Sequence, residues 1–318
     1  MEFLTILWLG KPLWMWLGFM TVVVVLLVLD LGVLHRHSRE IGMRESLLLS
    51  AGYIVAGLLF GLVVWWQSGG DAAAQYLTGF VVEKSLALDN IFVIALIFGT
   101  LGIPRLYQHR VLFWGILGAI AMRAVMIGGG AALLARFGWV LYLFAAFLIV
   151  TGLRMLLRGD APADPAESRV LGFLRRHLRV TDELHGERFV IRLPDPATGQ
   201  AVRRVTPLFL ALVLVELADV VFAVDSIPAI FAITTDPFLV YTSNIFAILG
   251  LRALYFALAA VLHRFAHLGQ ALAVLLIFIG AKVFAPLVLG VHIPDLWSLG
   301  ITFAILGAGM GWSLWRSR

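Results

Sequence analysis

Glu83-Lys84-Ser85-Leu86-Ala87-Leu88-Asp89-Asn90 and Asp219-Val220-Val221-Phe222-Ala223-Val224-Asp225-Ser226 share one pattern: an acid, five residues, a second acid, then a small polar side chain. Two further matches follow in the same order. Met122-Arg123-Ala124 corresponds to Leu251-Arg252-Ala253, and Thr151-Gly152-Leu153-Arg154 to Ile279-Gly280-Ala281-Lys282. Ordered matches anchored on polar residues are the mark of an internal repeat. Both octets lie inside long apolar runs, where acids are expensive.

Apolar runs of that length recur along almost the whole chain, and a bilayer crossing needs about 20 residues. The 318 residues are 61% hydrophobic and only 14% charged, against about 45–50% apolar in soluble domains. Nine spans are predicted, near 13–34, 47–66, 76–100, 111–135, 138–157, 207–233, 240–262, 269–289 and 296–315. Each is helical, because a chain in lipid must satisfy its own backbone hydrogen bonds. The first run is too long for a cleaved signal peptide and no small-residue cleavage site follows it. The chain divides into an N-terminal membrane half of five helices (1–157), a loop (158–206) and a C-terminal membrane half of four helices (207–318).

Spans three to five form one repeat and spans six to eight the other. Three is an odd number, so the repeats enter the membrane from opposite sides. The fold class expected is therefore an all-α polytopic membrane protein with two inverted three-helix repeats, an arrangement that places transporter sites near the midplane.

Basic residues set the orientation. Of 24 Lys and Arg, 18 fall in one alternating set of loops, ten of them between Arg154 and Arg204; Lys11 and Arg136 alone fall in the opposite set. That bias puts the first set in the cytoplasm, the N-terminus outside and the C-terminus inside, in a bacterial-type inner membrane. The net charge of +5 is thus a topology signal, and no nucleic-acid partner is expected. In the cytoplasmic loop, 169–179 reads as a short basic helix or coil near the anionic inner leaflet. Residues 188–193 and 200–205 flank Pro-Asp-Pro-Ala-Thr-Gly as a β-hairpin would. The loop is a structured linker or a module for a protein partner.

Six acids fall within spans: Asp30, Glu83, Asp89, Glu216, Asp219 and Asp225. Each costs about 2.5–3.5 kcal/mol at a helix centre on insertion scales, so partners, water or bound cations must compensate. Lys84, Arg123, Arg252 and Lys282 are the intramembrane cations available for charge pairing. With every group ionised the spans carry a charge of −2, which a divalent cation would neutralise. Residues seven apart share a helix face, so Glu83 aligns with Asn90 and Asp219 with Ser226. Glu216 and Asp219, three apart, are also neighbours. Asp89 and Asp225 lie about 120° away on a straight helix, and Pro228 predicts a break in span six that frees the Val224 carbonyl. Asp30, near the inner end of span one, is a candidate gate or a snorkelling acid. The donors are carboxylate, amide and hydroxyl; the chain has no cysteine, and its eight histidines fall in loops or at span ends. An oxygen-only set favours magnesium, calcium or manganese over zinc or copper. The competing reading of these acids is interhelical glue for the arginines and lysines. No nucleophile–base pair or phosphate loop points to an enzyme; Gly128–Gly130 is a helix-packing run.

At these motifs the chain becomes similar to a known family. Glu-Lys-Ser-Leu-Ala-Leu-Asp-Asn-Ile-Phe-Val at 83–93, Phe-Ala-Val-Asp-Ser-Ile-Pro-Ala-Ile at 222–230 and Tyr-Thr-Ser-Asn-Ile-Phe-Ala-Ile-Leu-Gly-Leu-Arg at 241–252 resemble signatures of the TerC family of integral membrane proteins. That family is named for tellurium resistance, includes Alx-type manganese exporters and is similar to the wider LysE group. The resemblance implies a LysE-like fold and export of Mn2+ as substrate, with no permanently bound cofactor. It also implies that Glu83, Asp89, Asp219 and Asp225 are the membrane acids, with Glu216 beside them. Ala218 stands where many relatives carry Ser or Thr, which removes one hydroxyl ligand. Two other readings stay open: an exporter of another solute or oxyanion with Arg123 and Arg252 as its ligands, and a membrane partner that metalates exported proteins.

Overall fold

A computed structural model describes residues 7–29, 43–158, 169–178, 180–181, 183–194, 201–258 and 268–316. In chain order these form a two-residue-strand hairpin, β1 (Leu7–Trp8) and β2 (Lys11–Pro12), then helices α1 (Leu13–Val28), α2 (Met43–Thr100), α3 (Arg105–Arg136) and α4 (Val140–Arg158). A small module follows: α5 (Arg169–His177), β3 (Val190–Pro194) and β4 (Ala201–Val205). The chain continues with α6 (Pro207–Ile233), α7 (Pro237–Leu249), α8 (Leu251–Leu258), α9 (Leu268–Leu289) and α10 (Asp295–Arg316). The protein is an all-α polytopic membrane protein. Seven helical segments among the described residues are long and apolar enough to cross a bilayer, and α1 is a shorter apolar helix of 16 residues.

The differences from the nine predicted spans have local causes. Spans two and three run into one another as α2, which folds back on itself at Gly69, where φ is 88° and ψ 178°. Only glycine adopts that conformation without strain. The two arms pack antiparallel: the Tyr76 hydroxyl donates to the Gly57 carbonyl at 2.9 Å, and a Cβ at Gly57 would fall 2.7 Å from the Phe80 ring. Span seven is split at Gly250 into α7 and α8. Span six, in contrast, stays one helix through Pro228. The proline φ is already helical, so the ring forfeits one hydrogen bond without ending the helix. Of span one, α1 covers 13–28.

Caps fix the turns. Gly102, with φ 61°, ends α2 in a Schellman motif: Ile103 N–H donates to the Phe98 carbonyl at 2.9 Å and Gly102 N–H to Gly99 at 3.2 Å. Asp236 caps α7 by accepting from Phe238 N–H at 2.9 Å, with Pro237 at the first helical position.

α7 and α8 form the centre of the bundle. In the segment Pro237–Ala257, 94% of the residues of its apolar window are buried, against 22–39% in the other six spans. The other helices are less enclosed and lie around these two. On the flank, α4 and α9 pack through two glycines. A Cβ at Gly152 would fall 2.6 Å from the Ala273 carbonyl and 2.7 Å from Ile277; one at Gly280 would fall 2.6 Å from the Ala145 carbonyl and 2.8 Å from Ile149. The contact is reciprocal in the numbering of the repeat.

The ends of the bundle are distinct. At one, Lys11 pairs with Asp236 at 3.0 Å, and Asp295 accepts from both Lys282 and Gln75 at 2.8 Å. At the other lies the module. β3 and β4 pair antiparallel from Val190 opposite Val205 to Pro194 opposite Ala201, in the place predicted for a hairpin. Leu171 of α5 is buried in the same cluster as Ile103, Leu208 and Tyr255. Arg110 of α3 pairs with Glu187 at 3.0 Å, and its guanidinium lies 5.2 Å from the Phe189 ring centre.

Candidate metal-transport site

Four helices meet at Arg123. Its side chain is fully buried in α3, where an unpaired charge would be prohibitive. Nη2 and Nε donate to the two carboxylate oxygens of Asp219 on α6, at 2.9 and 3.3 Å. Nη1 donates to Glu83 Oε1 on α2 and, at 2.7 Å, to Asn244 Oδ1 on the central α7. The first of these contacts is the fork-like geometry that suits a guanidinium to a carboxylate. Two carboxylates against one guanidinium leave the cluster one negative charge in excess.

The cluster is not saturated. Glu83 Oε2 and Asn244 Nδ2 are buried with no hydrogen-bond partner among the described residues, and so are Asn90 Oδ1 and Ser226 Oγ. Buried polar atoms are usually paired, so these orphans mark where a ligand or water would be received. Beside Asp219 a cavity of about 30 Å³ is lined by Asn90, Asp219 and Arg252, with Ile94, Leu112 and Val215 among its apolar walls. That is room for about one water.

The other predicted residues are placed as follows. Glu216 is half-buried one turn before Asp219. It rests against α3 at Gly118, where a Cβ would overlap its carboxylate. Asp225 is half-buried farther along α6, with no side-chain partner among the described residues. Arg252 sits at the start of α8, two residues past the break at Gly250, and is buried. Lys84 pairs with no carboxylate among the described residues. Its ammonium donates to the Ala247 carbonyl at 2.9 Å, at the C-terminus of α7, where a positive charge meets the negative end of the helix dipole. Lys282 pairs with Asp295 at the Lys11 end, apart from the Arg123 cluster. Asp30 lies outside the described residues, as does the Asp89 side chain. Among the described residues no three acidic or histidine side chains converge on one point. A cation held here would therefore draw on amide, hydroxyl, carbonyl or water oxygens as well. Asn244 and Gly118 were absent from the predicted set. The polar run Thr242-Ser243-Asn244 inside an apolar span was the signal for the first; nothing in the sequence marked the second.

Comparison with known proteins agrees with this architecture. Residues 68–318 match the model of the integral membrane protein TerC family. The chain is 45% identical over 309 residues to an uncharacterised membrane protein of Myxococcus xanthus, STKORF319, covering 97% of this chain and 94% of the relative. It is 46% identical over 295 residues to a membrane protein of Rickettsia bellii, covering 93% and 95%. It is 45% identical over 306 residues to Alx of Escherichia coli, proposed to be a membrane-bound redox modulator, covering 93% and 92%. No solved structure matches the chain. With the family model covering most of its length and relatives this similar end to end, the chain belongs to the TerC family of integral membrane proteins.

Proposed function

We propose that this protein is a secondary transporter that exports a divalent metal cation, Mn2+ foremost, by alternating access of two inverted repeats. One observation carries the reading: a buried acid pair, Glu83 and Asp219, contributed by different helices and in charge excess over the guanidinium between them. Two oxygens there, Glu83 Oε2 and Asn90 Oδ1, have no hydrogen-bond partner among the described residues, and hard cations such as Mn2+ take such ligands. In this reading Asp89, Asp225, Asn90, Ser226 and Glu216 complete the path. An oxyanion substrate is less favoured because Arg123, one of the two arginines that would hold it with Arg252, is paired with carboxylates in this state.

The architecture proposed has nine crossings: α1, the two arms of α2, α3, α4, α6, α7 with α8, α9 and α10. The second arm of α2 with α3 and α4 forms one repeat; α6, α7–α8 and α9 form the other. The reciprocal seating of Gly152 and Gly280 supports a pseudo-two-fold axis between them. The basic bias supports an inner-membrane protein with its N-terminus outside and its module in the cytoplasm, where a protein partner could dock. Lipid is the surrounding partner and nucleic acid is not one. No enzymatic activity is proposed. The redox role named for Alx would reach this chain only indirectly, through the cellular metal level, because a chain without cysteine has no thiol–disulfide chemistry of its own.

The test is flux through purified protein in sealed vesicles, with Mn2+, Mg2+, Ca2+, Zn2+ and tellurite offered in turn. Saturable Mn2+ flux that exceeds Zn2+ flux is expected. Tellurite flux without any divalent-cation flux would replace this reading with the oxyanion exporter, and no flux at all would leave the metal-loading partner.

A further inference from the structure

Three of the four carboxylate oxygens of Glu83 and Asp219 accept from Arg123. The fourth, Glu83 Oε2, is open, but a metal ion bridging the two acids at about 2.0–2.6 Å also needs an oxygen of Asp219, and both of those are turned to the guanidinium. Arginine cannot resolve the conflict by losing its proton, since it stays charged in proteins. For both acids to hold one cation, the guanidinium must therefore give up Asp219. Resting on the transport reading above, we infer that Arg123 is a tethered counter-cation: it offsets one of the two charges of the acid pair in the unloaded carrier, and the transported cation displaces it.

The surroundings offer it a place to go. Glu216 is three residues before Asp219 on α6, about 4.5 Å along the helix axis. Its carboxylate lies against α3, the helix that carries Arg123, in the space left by Gly118, and it has no hydrogen-bond or ion-pair partner among the described residues. Glu216 is the landing site of the displaced guanidinium. The arrangement explains why one cation is shared by two acids from different repeats. Unloaded, the acids reorient with one of their two charges offset by Arg123; loaded, the divalent metal offsets both. Without Arg123, the loaded form can still cross, but the empty form would carry two bare carboxylates through a low-dielectric interior.

The experiment compares two fluxes through reconstituted wild-type and Arg123→Gln proteins: net Mn2+ efflux, and exchange of labelled for unlabelled Mn2+, which uses only the loaded form. In the variant, net efflux falls about a hundredfold, given the cost of uncompensated buried charge, while exchange persists. Loss of both, in protein that inserts and elutes as wild type does, would make Arg123 interhelical glue and overturn the inference; so would survival of both. Wild-type protein that moves no divalent cation would sink the transport reading itself. Arg123→Lys keeps the charge where Gln fails to fold. An ammonium bridges two acids less well, so this variant binds Mn2+ more tightly than wild type; weaker binding is the opposite result and fits a structural role. Glu216→Gln lowers Mn2+ affinity in the wild-type background and has no effect in the Arg123→Gln background, where there is no guanidinium to receive. An equal loss in both backgrounds would make Glu216 a metal ligand and remove it as the landing site.

Discussion

Asp219 and Asp225 sit on the same helix and differ in what holds them. Asp219 takes two hydrogen bonds from Arg123, whereas Asp225 has no partner among the described residues. Asp219→Asn therefore takes a charged partner from a buried guanidinium that keeps Glu83 and Asn244, at a cost of about 1.5–3 kcal/mol, and the amount of inserted protein should fall. Asp225→Asn removes a charge that nothing compensates, and an amide is cheaper in the membrane. Its abundance should stay at the wild-type level while Mn2+ efflux per inserted molecule is lost. Near-normal efflux per molecule in Asp225→Asn would take that acid out of the ligand set. At this scale the charged members of the site were legible from sequence, because every charge in an apolar span demands a reason. Asn244 was not singled out: unlike Asn90 it has no acid seven residues before it on the same helix, and only the polar run Thr242-Ser243-Asn244 marks it. The carbonyl partner of Lys84 was not legible either: it exists because α7 ends at Leu249, and the end of a helix inside an apolar run leaves only a glycine as its trace.

Glycines and prolines decide how the elements run, and their two kinds of signal proved unequal. Pro228 predicted a break that α6 does not make, because proline opposes a helix through one missing donor and a steric clash that a small bend relieves. Gly69 and Gly250, by contrast, mark the real interruptions, one through a positive φ and the other through a helix end. A repeat was legible from Gly152 and Gly280 as sequence matches, but their role was not. Each is the point where α4 and α9 touch main chain to side. Gly152→Val and Gly280→Val should both force these helices apart, each at about 1–3 kcal/mol for overpacking. Gly128→Val, at a position with nothing within 4 Å, is the matched control. Thermal stability in detergent should drop for the first two and hold for the third. A drop in only one of the pair would show that the α4–α9 contact is not reciprocal in energy, whatever its geometry.

The molecule as a whole has two unlike ends, and the side each faces follows from which loops cluster there. Lys11, Asp236, Gln75 and Asp295 gather at one end through the pairs Lys11–Asp236 and Gln75–Asp295. The module, with its arginines, gathers at the other, tied down by Arg110 and Glu187. Loops read as opposite by their basic content are thus opposite in space, although neither fact alone says which side is the cytoplasm. On the topology proposed above, the bias of 18 basic residues against two puts the module end there, because translocation disfavours clustered positive charge near a span. A chain without cysteine makes the test direct. Thr235→Cys, at an exposed position in the α6–α7 turn, should react with an impermeant maleimide on intact cells. Phe173→Cys, exposed on α5, should react only after the membrane is opened. The reverse pattern would invert the protein and turn the proposed exporter's cytoplasmic module outward. Labelling of both positions on intact cells would mean that the two ends share a side, which a bundle with these end-specific ion pairs cannot satisfy while spanning the membrane.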